Sequence, residues 1–160
     1  LYDAGFSPVS QIIEAYNKYG GSIVGLSEVA KSEVDKFGVI DGREVDKGEY
    51  RINRFVEKPR PEEAPSNLAA VGLYVITSEV LETLDDMKSG RSGEIRLADA
   101  FDLLLEKNAL IYGKKIEGEW LDTGNKFNFI KATLKVGLKD SEISSDLQAL
   151  IDSLASKNKK

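Results

Sequence analysis

The sequence contains no cysteine and no histidine. The first absence removes disulfides and thiolate metal sites. The second removes the usual general base near neutral pH and the commonest transition-metal ligand. Chemistry is left to carboxylates, lysines, hydroxyls and backbone, a donor set that favours hard cations such as Mg2+ over Zn2+. No apolar run approaches the ~18–20 residues of a membrane span, and no signal peptide is visible, so no membrane partner is expected and a cytoplasmic location is the default. Positive charge is also short. The 22 basic residues are outnumbered by 27 acidic ones, for a formal charge of -5, which argues against generic binding of nucleic acid or anionic lipid. Any phosphate must therefore be held locally, by a few Lys or Arg groups, backbone amides or a metal. The 160 residues suffice for one domain with a real core. The opening, Leu1-Tyr2-Asp3-Ala4-Gly5-Phe6, has neither Met nor an entry element and reads as the middle of a longer protein.

Taken in order, Ser7-Pro8 predicts a helix start, with Ser7 as N-cap and Pro8 at the first helical position. Val9, Ile12, Ile13 and Tyr16 recur at helical spacing, and Gly20-Gly21 ends the helix. The apolar run Ile23-Val24-Gly25-Leu26 fits a strand buried on both faces, as in a parallel sheet. A short helical turn over 29–37 leads into a strand at 38–41, and Asp41-Gly42 with Lys47-Gly48 signals a hairpin with a polar tip. The prolines at 59, 61 and 65 predict an irregular loop, and Asn67 to Thr77 is the longest strand candidate. Ser78 is expected to cap a helix with Val80, Leu81 and Leu84 inward. Residues 88–93 read as a flexible loop without phosphate-loop spacing. A helix over 95–107, a strand over 110–116, a helix with Phe127, Ile130, Leu134 and Leu138 on one face, and an amphipathic C-terminal helix with a frayed tail complete the chain.

Three stretches carry candidate chemistry. Phe55-Val56-Glu57-Lys58-Pro59 ends a strand. Pro59 lacks an N–H and biases Lys58 towards extended geometry, so Glu57 and Lys58 are expected on opposite faces. That suits a wall whose acid reads hydroxyls while its base holds a phosphate. Alone, the stretch reads as an ordinary strand end with a solvated charge pair. Gly72 stands mid-strand and marks either a bulge or a place where another molecule approaches the backbone. Asp122, in Trp120-Leu121-Asp122-Thr123-Gly124-Asn125, sits at a strand-to-helix junction, the kind of edge where open α/β sheets bind ligands. Alone it reads as an N-cap or turn-forming Asp.

Together and in this order, these stretches, with Ala64-Pro65-Ser66-Asn67-Leu68-Ala69, Gly93-Glu94-Ile95 and Tyr19-Gly20-Gly21-Ser22-Ile23-Val24-Gly25, resemble the bacterial-type UTP–glucose-1-phosphate uridylyltransferases (UDP-glucose pyrophosphorylases). The resemblance covers nearly the whole chain. It implies an α/β, Rossmann-like nucleotide-diphospho-sugar transferase fold: a mixed, mostly parallel sheet with flanking helices, incomplete at the N-terminal side. The family's Gly-rich nucleotide loop and its other metal-binding aspartate have no counterpart, so the chain resembles the carboxyl-terminal half, with residues 1–139 in the transferase domain and 140–160 as a C-terminal helix and tail. Leu73 stands where many relatives carry a basic residue. The resemblance implies transfer of uridylyl from UTP to glucose 1-phosphate, giving UDP-glucose and pyrophosphate, with Mg2+ as cofactor. It implies that Glu57 binds glucose hydroxyls, that Lys58 is the catalytic and phosphate-holding cation, that Gly72 lets the sugar approach, and that Asp122 is a metal ligand. The chain alone is expected to be inactive. A non-catalytic sugar-phosphate-binding or assembly module and a thymidylyl-transferring relative are the alternatives, and association into a homo-oligomer through uncovered apolar surface stays open.

Overall fold

A computed structural model of the chain describes residues 2–3, 6–87 and 95–157. The anticipated loop at 88–93 and nearly all of the frayed tail lie outside the described residues. In order, the elements are β1 (Tyr2–Asp3), α1 (Pro8–Tyr19), β2 (Ser22–Glu28), a 3-10 turn (Lys31–Lys36), β3 (Gly38–Asp46), β4 (Glu49–Glu57) and β5 (Leu68–Val75). Then follow α2 (Ser78–Asp86), α3 (Leu97–Glu106), β6 (Ile111–Lys115), β7 (Glu119–Trp120), α4 (Lys126–Gly137) and α5 (Ser144–Lys157). They fall into two compact units: one over Phe6–Glu117, the other combining Leu1–Gly5 with Gly118–Lys160.

In the larger unit, strand pairing closes into a ring in the order β2-β5-β3-β4-β6. The sheet is mixed, with helices against it, as expected. Its balance differs from the expectation of mostly parallel strands: β2 and β6 run parallel, while β2–β5, β3–β4, β3–β5 and β4–β6 run antiparallel. The connections explain the difference. Parallel neighbours need a long crossover, whereas the tight turn at Lys47-Gly48 and the proline-rich loop after β4 carry no helix. Gly48 makes that turn with φ of 68°. Asp41-Gly42, read as a second turn signal, instead lies inside β3 at a register shift. There the absent side chain admits the Arg51 carbonyl, 2.9 Å from where a Cβ would stand.

The core gathers Val24, Leu26, Ile40, Ile52, Phe55, Leu68, Val80, Phe101, Leu104 and Ile111. Phe101 of α3 is fully buried, its ring centroid 5.8 Å from that of Phe55 and 6.0 Å from that of Tyr74. On α1 the buried residues are Gln11, Ile12 and Ala15, while Val9, Ile13 and Tyr16 are exposed. The expected apolar face is therefore displaced around the helix. Gln11 is tolerated inside because its amide is satisfied: Nε2 donates to the carbonyls of Phe6 and Glu117, and Oε1 accepts from the Glu117 N–H. Gly20, with φ of 69°, ends α1 by donating to the Tyr16 carbonyl. On α2, Thr77 rather than Ser78 takes the N-cap position, and Leu81 is exposed while Val80 is buried.

In the smaller unit, β1 and β7 pair antiparallel. Gly137 allows α4 and α5 to close, because a Cβ there would come within 2.8 Å of Leu147 Cδ2. Phe127, expected inward, is 74% exposed, and Ile130 is exposed too; the buried positions of α4 are Ala132 and Gly137. No helix of the described residues is long and apolar enough to cross a membrane.

One ionic cluster joins α1, β4 and β6. Glu49, whose side chain is 12% exposed, accepts from Lys18 Nζ at 2.7 Å, Tyr19 Oη at 2.7 Å and Lys114 Nζ at 3.0 Å. Tyr19 in turn stacks on Tyr112 of β6, with centroids 4.2 Å apart. Burial opposes the Glu49 charge, but the bonds from Lys18, Tyr19 and Lys114 outweigh it and hold the carboxyl below its ordinary value. A depressed folded pKa stabilises fully above the unfolded value of about 4.3 and stops doing so as pH falls through the folded value. Glu49→Gln is therefore expected to cost about 1–2 kcal/mol at pH 7. Urea melts should show this gap shrinking once the pH drops below about 4, and a gap that stays constant down to pH 3 would contradict the assignment.

Candidate functional site

A concavity of about 500 Å3 opens in the larger unit between the start of β3, the end of β4, the middle of β5 and the start of α3. Lys36, Phe37, Gly38, Phe55, Glu57, Ala70, Gly72, Tyr74, Arg96, Leu97, Ala98 and Phe101 line it. Pleat and register place these residues. Gly38 pairs with Glu57 across the β3–β4 ladder. A Cβ on Gly38 would stand 2.4 Å from Phe55 Cε1 and 3.0 Å from Glu57 Oε2, so the glycine makes room for both side chains. Asp102 Oδ1 accepts the Phe55 N–H at 3.2 Å, tying α3 to β4 where β6 no longer pairs with it.

Gly72 is both a bulge residue and an open face. Between Val24↔Tyr74 and Leu26↔Ala70 the register shifts: three β5 residues stand opposite Gly25. Two extra residues leave the pleat unflipped, so Ala70, Gly72 and Tyr74 all line the cavity. Gly72 has φ of 73°, and nothing lies within 4 Å of where its Cβ would be. The bulge reading of Gly72 therefore holds, and its backbone is open on the cavity side.

Lys58 departs from expectation. Its φ is 48°, not extended, although Pro59 follows. The Lys58 N–H donates to the Phe37 carbonyl at 3.0 Å, continuing the β3–β4 pairing by one bond while the chain turns left-handed. The turn brings the lysine round to its neighbour: Nζ lies 3.7 Å from Glu57 Oε1 instead of on the opposite face. The side chains are 59% and 28% exposed, so the pair is open to solvent, and Lys58 itself does not line the cavity. Burial, and then the Glu57 charge, raise the Tyr74 hydroxyl above its ordinary pKa.

Asp122 belongs to the other unit. There it makes a turn: Oδ1 accepts the Gly124 N–H at 2.9 Å and Oδ2 accepts from Asn128 Nδ2 at 2.7 Å. The N-cap of α4 is Asn125, whose side chain accepts the Asn128 N–H at 2.9 Å. Among the described residues no three carboxylates gather as a metal site. Asp122 nonetheless keeps a lone pair on each oxygen, and both its bonds come from neutral donors, so it fits one ligand position of a cation shared with phosphates and water. Sequence reasoning assigned no role to Gly38, Tyr74, Arg96 or Asp102. Tyr74 lay within the Asn67 to Thr77 strand candidate without being singled out, and Gly38 was readable only through its pairing with Glu57.

The two glycines should fail differently. Gly38→Ala is expected to cost about 1–3 kcal/mol by pushing the Phe55 ring. Gly72→Ala should cost about 1–2 kcal/mol through backbone strain alone, and Gly72→Asn less, since Asn tolerates a left-handed backbone. Thermal melts of the three variants test this, and a Gly72→Asn variant less stable than Gly72→Ala would contradict the strain account.

Comparison with known proteins follows the same residues. Residues 1–138 match the model of the nucleotidyl transferase family. A UTP–glucose-1-phosphate uridylyltransferase of Staphylococcus epidermidis is 38% identical over 146 residues, 91% of this chain and 50% of that protein. One from Staphylococcus saprophyticus is 37% identical over the same shares. A crystal structure of UDP-glucose pyrophosphorylase complexed with UDP-glucose has a TM-score of 0.81 at 36% identity, covering 88% of this chain and 53% of that one. The UDP-glucose pyrophosphorylase of Acinetobacter baumannii gives 0.83 at 27% identity, with coverages of 96% and 53%. The chain spans about half the length of the curated relatives it matches. By the match over residues 1–138, the chain belongs to the nucleotidyl transferase family, and in sequence and fold it is similar to UTP–glucose-1-phosphate uridylyltransferases.

Proposed function

We propose that this chain supplies the sugar-phosphate side of an enzyme that transfers uridylyl from UTP to glucose 1-phosphate, producing UDP-glucose and pyrophosphate. The observation that carries the reading is the cavity in which the Glu57 carboxylate and the bare backbone of Gly72 face one space, with the Lys58 ammonium beside the carboxylate. A carboxylate accepts hydrogen bonds from sugar hydroxyls. A glycine with nothing in front of it admits a ring against the backbone, and the aromatic wall of Phe55, Tyr74 and Phe101 excludes water from the ring's apolar face. Lys58 holds the phosphate, exchanging its exposed contact with Glu57 for a dianion.

In the reaction, a phosphate oxygen of glucose 1-phosphate attacks the α-phosphorus of UTP in line, and the bond to pyrophosphate breaks. Both partners are anions, so the protein contributes positioning and neutralisation of charge rather than covalent chemistry. Nucleotidyltransferases of this family generally use a divalent metal. In this reading the ion is Mg2+, Asp122 is one of its ligands, and when bound it spreads the charge of the phosphates.

Calorimetric titration with UDP-glucose tests the reading. Lys58→Ala should weaken binding by one to two decades, the loss of a charge-assisted contact worth about 1.5–3 kcal/mol. Asp122→Asn keeps the acceptor for Gly124 and should leave metal-free binding unchanged while removing any gain from added Mg2+. Affinity within twofold of wild type for Lys58→Ala would sink the phosphate role.

A further inference from the structure

One buried group of the larger unit has no part in holding the sugar phosphate. Asp99 Oδ2 is buried and has no hydrogen-bond partner among the described residues. A buried carboxylate oxygen without a donor is costly, and native structures keep few of them. Asp99 stands in the first turn of α3, three residues after the N-cap, where its charge suits the helix dipole. The dipole accounts for an acid in this turn. It does not account for burying one of the oxygens unpaired, since an exposed oxygen would serve the dipole equally well.

The neighbouring ladder offers a donor. The Lys58 N–H bonds to β3 at Phe37, so the N–H groups of Phe55 and Glu57, each an odd number of residues away, turn to the opposite edge of β4. β6 pairs with that edge only as far as Arg51. Beyond it α3 takes over: Asp102 Oδ1 accepts the Phe55 N–H at 3.2 Å. Asp99 lies on the same helix face, one turn earlier. That turn leads towards Glu57, because Arg96, Leu97 and Ala98 line the cavity with it. Asp99 therefore stands to Glu57 as Asp102 stands to Phe55. The two steps are unequal: three helical residues advance about 4.5 Å and two strand residues about 6.6 Å, which leaves the second bond about 2 Å short.

We propose that Asp99 is a positioning residue for Glu57, its Oδ2 accepting the Glu57 N–H when a sugar seats in the cavity. A ring held between the Glu57 carboxylate and the α3 wall touches both elements, and drawing them together makes a charge-assisted bond that the free protein lacks. Hydrogen bonds of active sites commonly tighten in this way on binding. The inference rests on the sugar-phosphate reading of the cavity. It adds that α3 grips the main chain of Glu57 while the side chain takes the sugar hydroxyls.

The test uses the isotope-labelled 160-residue chain, free and with saturating UDP-glucose. Scalar coupling across hydrogen bonds is read between amide nitrogens and side-chain carboxyl carbons. The Phe55–Asp102 coupling should be present in both states and serves as the internal standard. The Glu57–Asp99 coupling should appear only with UDP-glucose, as the Glu57 amide proton moves downfield. Asp99→Leu is expected to weaken UDP-glucose binding roughly tenfold, and Asp99→Asn, which keeps an acceptor, to recover most of that loss. Absence of the Glu57–Asp99 coupling in the bound wild type overturns the inference and leaves the sugar-phosphate reading standing. Equal lowering of the thermal midpoint by Asp99→Leu and Asp99→Asn, with affinity unchanged, assigns Asp99 to the helix dipole alone and also overturns it. Failure of wild type to bind UDP-glucose overturns both.

Discussion

Lys58 holds a left-handed backbone, with φ of 48°, immediately before a proline. For a residue with a Cβ such geometry costs about 1–2 kcal/mol, and Pro59 adds a bias towards extended chain. The compensation is visible: the Lys58 N–H remains bonded to the Phe37 carbonyl, so the last rung of the β3–β4 hairpin is kept while the chain turns. The Glu57–Lys58 pair depends on that rung. Extended geometry would send the ammonium to the opposite face, whereas the observed turn sets it 3.7 Å from the carboxylate. Strained backbone that persists at the edge of a concave, charged site is the pattern expected where function fixes the geometry.

The same hairpin sets the cavity's shape. Its turn at Lys47-Gly48 is anchored at the other end by Glu49, whose carboxylate collects Lys18, Tyr19 and Lys114. Between the two ends the ladder carries two register shifts, one near Val45 and one at Asp41/Gly42. They are of opposite sense and cancel, so Gly38 faces Glu57 as it would in an unbroken hairpin. β5 then presents Ala70, Gly72 and Tyr74 to the same space because its bulge adds an even number of residues. α3 completes the wall, held to β4 by the Asp102 bond and by Phe101 packed between Phe55 and Tyr74.

Much of this was legible in the sequence. The helices, the strands at 23–26, 38–41 and 110–116, and the proline loop follow from periodicity and turn chemistry. Glu57 and Gly72, singled out from the chain alone, do share one cavity. What was not legible has physical reasons. Hydrophobic spacing placed Val9 and Ile13 of α1 inward, but Gln11 takes a buried position because its amide pairs with backbone of Glu117, a contact 106 residues away in sequence. The proline after Lys58 argued for extended chain, and a tertiary hydrogen bond overrode it. Strand direction was misjudged because one apolar run cannot reveal whether its neighbours arrive by hairpin or by crossover. Asp122 performs the turn role that its type favours, with both oxygens bonded locally, and any metal role is added to that one.

The central claim is that a nucleotide sugar seats its hexose against Gly72 and Glu57. The most direct measurement is a set of 1H–15N spectra of the labelled chain during titration with UDP-glucose. The account predicts the largest shifts at Gly38, Glu57, Lys58, Gly72 and Tyr74, with the amides around Lys18, Tyr19 and Glu49 unmoved. Saturable shifts confined to residues outside the cavity, with Gly72 and Glu57 silent, would contradict it.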